Sequence, residues 1–341
     1  MRVASFLSQF ESTDFDYLLV VDDGSGSDYD EVFKAIAEQT LFDVVRYETN
    51  MGKGHALKFG LKTLLNQHSD IEVVVTADSD GQHLRKDILA VRDTSLAHPD
   101  ALTLGARDFT NAPPKSASGN LWSCRYFRIM TGAPIQDTQT GLRGIPSLLF
   151  DLFLRTHGNR FEFEMNFLFD AAKCARLEQI TITTVYENGK NEGTHFRPVK
   201  DSMRIATSLI VYAICFLVFF LLDAVLFGCL YPFFHIGSDV VSSIGPLCAL
   251  HAISLGSAML ITYFGLQIFA FFNKVKFYVS LPKTIGVLLG FYVIEVGASI
   301  GLLSIGWPVA GVHILVAFLL ALLKCPLDYN WVFALKKIVK K

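Results

Sequence analysis

The sequence predicts two unlike halves: an α/β domain with a mostly parallel sheet over residues 1–204, and an all-α membrane domain of four helices over 205–341. Three observations lead there. Apolar, β-branched runs alternate with segments of helical spacing in the first half. Charge is concentrated before residue 205 and is sparse from there to about 335. Four long apolar stretches in the second half are near or above the roughly 20 residues a helix needs to cross a bilayer core.

The elements follow in chain order. Tyr17–Val21 reads as a strand ending in Asp22-Asp23-Gly24-Ser25-Gly26, and Tyr29–Gln39 as a helix. Phe42–Tyr47 reads as a second strand, Gly54–Asn66 as a helix, Ile71–Ala77 as a third strand and Leu102–Gly105 as a fourth. Buried parallel strands appear as such continuous apolar runs, and their alternation with helices places helices on the sheet's faces. Residues 108–120 are polar and rich in Pro, Ser and Ala, which predicts a flexible loop. The candidate spans are 206–230, 245–268, 281–303 and 306–325. Lys200 and Arg204 precede the first, Lys274, Lys276 and Lys283 separate the second and third, and Lys336, Lys337, Lys340 and Lys341 follow the fourth. The connectors 231–244 and 304–305 hold no Lys or Arg. The positive-inside rule then puts the α/β domain and both termini in the cytoplasm, at the cell (inner or plasma) membrane. Residues 1–20 lack a basic segment followed by an apolar core, which agrees.

Composition excludes some classes. With 30 Lys+Arg against 32 Asp+Glu there is no basic footprint for nucleic acid. The six cysteines are scattered without a Cys-x-x-Cys, as expected of reduced packing cysteines.

The chemistry concentrates at strand ends. Asp78-Ser-Asp80-Gly-Gln82 closes the third strand with two carboxylates and an amide oxygen. Open α/β sheets bind ligands at the carboxyl ends of their strands. A hard cation such as Mg²⁺ takes one or two carboxylates plus substrate phosphates, so a nucleotide diphosphate is the first ligand expected. Asp22-Asp23-Gly24 closes the neighbouring strand; alone it reads equally well as a solvated turn. Asn50-Met-Gly52-Lys53-Gly54 precedes a helix, where glycines and a lysine can approach a phosphate. It lacks the Walker spacing.

In order, Asp22-Asp23-Gly-Ser, Asn50-Met-Gly-Lys-Gly, Asp78-Ser-Asp80-Gly-Gln82-His83, Gly105-Ala-Arg107, Gln136-Asp137-Thr-Gln139-Thr-Gly141-Leu-Arg143-Gly and His195-Phe-Arg197-Pro-Val-Lys-Asp201-Ser resemble a family 2 glycosyltransferase of the GT-A fold. The branch they resemble is the dolichol-phosphate mannose synthase and polyprenyl-phosphate glycosyltransferase group, over about residues 15–204. The four-helix remainder resembles the GtrA-like membrane domain. Its marks are the aromatic ends of spans two (Phe269–Phe277) and four (Tyr329-Asn-Trp-Val-Phe333), which hint at a duplicated two-helix unit.

The resemblance implies a Rossmann-like GT-A domain lacking its first strand, because the family opens with a strand ending in Pro-Ala-Tyr-Asn, whereas Met1 falls in what reads as the following helix, Ser5–Phe10. It implies that Asp22, Asp23, Gly24, Lys53 and Asp78 bind the nucleotide sugar, and that Asp78, Asp80 and Gln82 hold Mg²⁺ or Mn²⁺. Asp80, Asp137 and Gln139 would be the catalytic set, the last two lining the sugar and acceptor site. Arg107, Lys115 and Arg197 would grip the lipid phosphate, Lys115-Ser-Ala117 standing where relatives often carry Arg-Ser-Arg. The expected activity is inverting transfer of a hexose from a GDP-mannose or UDP-glucose type donor to polyprenyl phosphate, for cell-envelope polysaccharide or glycoconjugate synthesis. The partners would be the nucleotide sugar, the lipid and the membrane, with homo-oligomerisation left open. One rival is a processive polysaccharide synthase, whose Gln-x-x-Arg-Trp motif is absent. Another is a catalytically degenerate scaffold or lipid-linked-sugar translocation protein.

Each predicted span carries an ionisable residue well inside it: Asp223, His251, Glu295 and His313. At 1.5 Å per residue all four fall at a similar depth, roughly 20–25 Å from the cytoplasmic side. Buried ionisable groups face a bundle's interior and pair there, so the four are expected to converge. The bland alternative is neutral packing histidines and an Asp223 that snorkels outward. Gly286-x-x-x-Gly290 and Gly297-x-x-x-Gly301 are expected to let helices approach closely.

Overall fold

The computed structural model describes residues 2–109, 114–183, 198–237, 239–270 and 275–333. The chain separates between Ala206 and Thr207 into two compact units. The first is mixed α/β. Its elements are α1 (Arg2–Leu7), β1 (Leu19–Asp23), α2 (Asp30–Ala37), β2 (Asp43–Tyr47), α3 (Lys53–Gln67), β3 (Val73–Thr76), α4 (Arg85–Ala97), β4 (Ala101–Arg107), α5 (Pro114–Thr131), β5 (Arg143–Pro146), α6 (Phe150–Arg155), α7 (Glu162–Cys174) and β6 (Arg176–Ile182).

β1 and β2 pair in parallel, Leu19 opposite Asp43. The other four strands form a sheet ordered β3-β5-β4-β6, in which β4 and β6 are parallel and β5 runs against both its neighbours. β4 is buried along Ala101–Ala106, as expected of a strand covered on both faces. α4 packs on β3, β4 and β5, and α3 packs on β1, where Gly60 lets the helix approach the Val21 side chain. α6 and α7 interlock through Phe153, whose ring meets those of Phe163 and Phe167 edge-on at 4.8 Å. The Arg85 guanidinium donates to both oxygens of buried Asp14 (2.7 and 2.8 Å) and holds its carboxyl below the usual carboxylate range.

β1 and β3 do not hydrogen-bond to each other, so the strands divide into two sheets. Both line one cavity of about 2380 Å³, together with Phe6 and Phe10 near the chain's start and Leu61 of α3. The helix expected at Ser5–Phe10 is shifted to Arg2–Leu7. Residues 114–120, expected to be a loop, are helical within α5. Pro114 opens that helix, where its missing N–H and fixed φ suit the first turn, and no glycine or second proline follows until Gly119. Residues 110–113 lie outside the described ones.

The second unit is helical: α8 (Pro198–Leu230), α9 (Val240–Gly265), α10 (Phe277–Leu303) and α11 (Val309–Leu327). Ile214–Phe234, Val241–Ile268 and Phe277–Leu303 are long and apolar enough to cross a membrane, while Val309–Lys324 is apolar but shorter. The unit exposes large apolar side chains and buries several polar ones among an apolar core that includes Phe227, Leu247 and Leu250. Val225, Leu289 and Val293 are 58%, 59% and 68% exposed, whereas Asp223, His251, Ser254, Glu295 and Ser299 are buried. A water-soluble core inverts this arrangement, and apolar solvent around the bundle explains it. α9 and α11 each end in one π turn, Leu266–Ala270 and Asp328–Val332. These turns fall at the aromatic ends that hinted at duplication. Tyr263 and Phe333, one from each half, stack at 5.7 Å.

Two expectations need correction. Lys283 sits inside α10, not in a connector, and donates to the Trp331 carbonyl at 2.8 Å. Among the glycines of α10, an added Cβ would meet Trp331 at Gly286 and open space at Gly290, Gly297 and Gly301, so the small-residue spacing does not seat a neighbouring helix. α11 also carries a second ionisable residue, Lys324, buried against Asp328 one turn later.

An added methyl tests the α3 packing. A Cβ at Gly54 would lie 2.4 Å from the Phe163 Cβ and 3.0 Å from the Arg160 carbonyl, while one at Gly119 meets nothing within 4 Å. Gly54→Ala should therefore destabilise by about 1–3 kcal/mol, and Gly119→Ala should be neutral or stabilising by up to about 1 kcal/mol. Thermal unfolding of the two variants checks the contrast.

Candidate active site

The cavity between β1 and β3 is polar at one end. Asp22, Asp23, Gly24, Lys53, Asp78, Asp80, Gln82, Arg107 and Gln139 all line it. The acidic motifs reach it because β1 and β3 end there; the glycine loop reaches it because α3 starts there.

The two aspartates after β1 are occupied by the protein. Asp22 accepts from the Ser25 N–H (3.0 Å) and from Arg46 Nε (2.8 Å), and Arg46 also reaches Asp30 at 2.9 Å. Asp23 accepts from Tyr47 Oη (2.7 Å) and from the backbone N–H groups of Met51 (2.8 Å) and Gly52 (2.8 Å). Burial and the Asp23 carboxylate raise the Tyr47 pKa. Asp23 thereby fixes the glycine loop against β1. Gly24 has φ +66, and a Cβ there would lie 2.4 Å from the Asn50 nitrogen, so the two loops meet backbone to backbone.

Lys53, the first residue of α3, bridges two elements. Its ammonium lies 2.7 Å from Asp78 Oδ1 after β3 and 2.8 Å from Glu164 Oε2 on α7. Burial alone would lower its pKa, but these two carboxylates outweigh burial and raise it. Burial likewise works against ionisation of Asp78, yet Lys53, with smaller contributions from His83 and Arg107, draws its pKa down. The Asp78 carboxylate lies where a Cβ at Gly141 would sit, 2.4 Å from Oδ2, so Gly141 is the space it occupies. Asp80 Oδ1 accepts from the Gln82 N–H at 3.0 Å and turns the chain after β3.

On the opposite wall Arg107 forms a fork with Asp137, Nε to Oδ2 at 2.6 Å and Nη2 to Oδ1 at 3.1 Å. Asp137 is fully buried and also accepts from the Gln139 N–H at 2.9 Å, which leaves Gln139 exposed toward the cavity. The structure thus brings the expected residues together, except that Asp137 lies behind Arg107. Lys115 falls on α5 and Arg197 lies outside the described residues.

Three further residues belong to this constellation. Glu164 holds Lys53, and its signal was an acidic residue inside the apolar run Phe161–Phe169. Arg143 is buried, donates to the Thr140 and Glu164 carbonyls at 2.9 and 2.7 Å, and has its pKa lowered by burial. His83 is buried with no partner for Nδ1, and burial lowers its pKa. Both of these lay in quoted motifs, but nothing in the sequence marked them as buried.

Residues 2–153, within the N-terminal unit, match the model of glycosyl transferase family 2. An uncharacterized protein of Methanocaldococcus jannaschii is 28% identical over 205 residues, 57% of this chain and 80% of its own length. The UDP-N-acetylglucosamine–dolichyl-phosphate N-acetylglucosaminyltransferase of Methanococcus voltae is 26% identical over 204 residues, 54% of this chain and 80% of its own length. The domain supports a glycosyltransferase, joined to a part with three membrane-length apolar helices. Glycosyltransferases of this family commonly use divalent metals.

Removing the ammonium tests the Lys53 bridge. Lys53→Ala leaves Asp78 and Glu164 without their shared partner and should lower stability by about 1–3 kcal/mol, moderated by partial exposure. Adding Glu164→Gln should recover part of that loss. Thermal unfolding of both single variants and the double variant checks this; strictly additive effects contradict the bridge.

Proposed function

We propose that the N-terminal unit transfers a hexose from a nucleotide sugar to polyprenyl phosphate at a membrane surface, with inversion at the anomeric carbon. The observation that carries this reading is the convergence of Asp78, Asp80, Gln82, Lys53 and Arg107 on one cavity at the ends of β1 and β3. The similarity to the Methanococcus voltae enzyme, whose name specifies a dolichyl-phosphate acceptor, supports the lipid class.

The residues suit the parts they are given. Two carboxylates and an amide oxygen are hard donors, matched to Mg²⁺ or Mn²⁺ that completes its shell with phosphate oxygens. Asp80 is the less encumbered carboxylate, because Asp78 Oδ1 is engaged by Lys53. A bound ion would neutralise charge on the departing nucleoside diphosphate. Asp23 holds the Met51–Gly52 backbone in place at the mouth of α3, where diphosphate oxygens meet a helix N-terminus. Asp137 takes the Nε–Nη2 edge of Arg107 and so fixes the guanidinium at the cavity wall, where its charge suits an anion. A lipid monophosphate is already anionic near neutral pH, so it needs alignment more than a base. Its oxygen forms the new bond to the anomeric carbon as the sugar–diphosphate bond breaks, the electron pair leaving with the nucleoside diphosphate.

The membrane unit supplies the surface. In this reading α11 is a fourth pass beside the three long helices, and the Lys and Arg that flank the even number of passes favour a cytoplasmic side for both ends of the unit and for the catalytic domain. Arg197, which precedes α8 in sequence, is assigned to the lipid phosphate in this reading. The resemblance of the bundle to GtrA-like domains belongs to this proposal. A second reading, a degenerate scaffold or translocation protein, is favoured by one observation: the break between β1 and β3 beside the nucleotide end of the cavity.

Asp80→Ala separates the two. In EDTA-washed membranes resupplied with Mg²⁺ or Mn²⁺, transfer of radiolabelled sugar to polyprenyl phosphate should fall at least about a hundredfold, as when a charge-stabilising group is lost. Turnover equal to that of the wild type contradicts the proposal, and a wild-type chain that transfers nothing favours the second reading.

A further inference from the structure

The four ionisable residues of the helical unit converge. His251 Nδ1 lies 3.1 Å from Glu295 Oε2, and His313 Nδ1 lies 4.0 Å from the same oxygen. One donor atom from each of His251, Glu295 and His313 lies within 4.8 Å of the others. Behind the rings, His251 Nε2 meets Ser299 Oγ at 2.9 Å and His313 Nε2 meets Asp223 Oδ2 at 3.7 Å. Phe227 stacks on the His313 ring at 3.7 Å and fixes its plane. All four side chains are at most 1% exposed.

This arrangement leaves much unsatisfied. Both oxygens of Asp223, Oε1 of Glu295 and both nitrogens of His313 are buried without a hydrogen-bond partner. Among the described residues, no Lys or Arg lies within 4 Å of either carboxylate. Two carboxylates that stay ionised in an apolar bundle require positive charge nearby.

We propose that His251, Glu295 and His313 bind a divalent transition-metal ion of the zinc class, with Asp223 and Ser299 orienting the imidazoles. The donor set decides the class: two imidazoles and one carboxylate suit Zn²⁺ and its neighbours, not Mg²⁺ or Ca²⁺. The ring orientations agree: both histidines turn Nδ1 toward the shared carboxylate, His251 Nε2 is within hydrogen-bond distance of Ser299 Oγ, and His313 Nε2 faces Asp223 at 3.7 Å, so each has an oxygen on the side where a ligating imidazole's other N–H is held. Ligand bonds of about 2.0–2.1 Å place tetrahedral donors about 3.3 Å apart, within the spread of the distances seen. The charges also close, since a divalent ion balances Glu295 and Asp223 with both histidines neutral. Three protein donors leave a fourth position for a small oxygen ligand. The site stands apart from Asp78 and Asp80, which belong to the other unit, and does not rest on the proposed transfer.

Co²⁺ titration of the chelator-treated, detergent-purified full chain tests it, with Zn²⁺ competition. The expected result is one Co²⁺ per chain with the intense visible absorption of four-coordinate cobalt, displaced by Zn²⁺ and retained in Asp78→Asn/Asp80→Asn. Glu295→Gln and His313→Gln should abolish that absorption, and Asp223→Asn should weaken Co²⁺ binding about 10–100-fold. A wild-type chain without such absorption overturns the proposal, whatever the variants do to stability, and identifies the cluster as a hydrogen-bonded packing element only. Absorption that persists with unchanged affinity in Asp223→Asn and in whichever of the other two variants folds also overturns it.

Discussion

The α/β unit is organised around one ammonium group. Lys53 opens α3 and lies between a carboxylate from the end of β3 and another from α7. Without that cation, Asp78 and Glu164 would face each other in a partly buried space, and mutual repulsion would oppose bringing the three elements together. With it, the strand end, the glycine loop and α7 share one anchor. Asp23 repeats the device with neutral donors, gathering Tyr47 and the Met51–Gly52 backbone. The polar end of the cavity is thus built mainly from polar contacts between loops, while the apolar packing that supports the unit includes buried β4 and the phenylalanines of α6 and α7.

The helical unit faces the opposite problem. Its exterior matches an apolar solvent, so its specificity is carried by interior polar groups. Two such groups stand out among the described residues. One is the histidine–carboxylate cluster. The other is Lys324 with Asp328, where the ammonium also lies 5.3 Å from the Phe219 ring centroid. The paired π turns after α9 and α11 give the two halves of the bundle the same local ending, although their packing partners differ.

Much of this was legible because the informative residues sit where the chain changes direction. Asp22-Asp23-Gly24 and Asp78-Ser-Asp80 follow apolar runs, and a run ending in carboxylates marks a strand's ligand-facing end. The convergence of Asp223, His251, Glu295 and His313 followed from an ionisable residue at matching depth inside each apolar stretch, Lys283 and Lys324 lying nearer the ends. Other features were not legible. Residues 114–120 carry no apolar period, and their loop-like composition hid a helix that Pro114 opens. β5 is four residues long and runs antiparallel within an otherwise parallel set, so no local pattern announces it. The partner of Lys53, Glu164, is more than a hundred residues away in sequence, and spacing alone cannot join them. The glycines of α10 show the reverse failure: their spacing suggested a close helix seam, yet an added Cβ at three of the four would meet nothing.

The central claim is that the acidic ends of β1 and β3 receive a nucleoside diphosphate through a hard cation. Calorimetric titration of the purified chain with UDP and with GDP, in Mg²⁺ and then in excess EDTA, addresses it directly without requiring turnover or a lipid acceptor. The account predicts saturable binding of one of the two nucleotides in Mg²⁺ and its loss in EDTA. Binding of equal strength in EDTA, or no binding of either nucleotide in Mg²⁺, would contradict it.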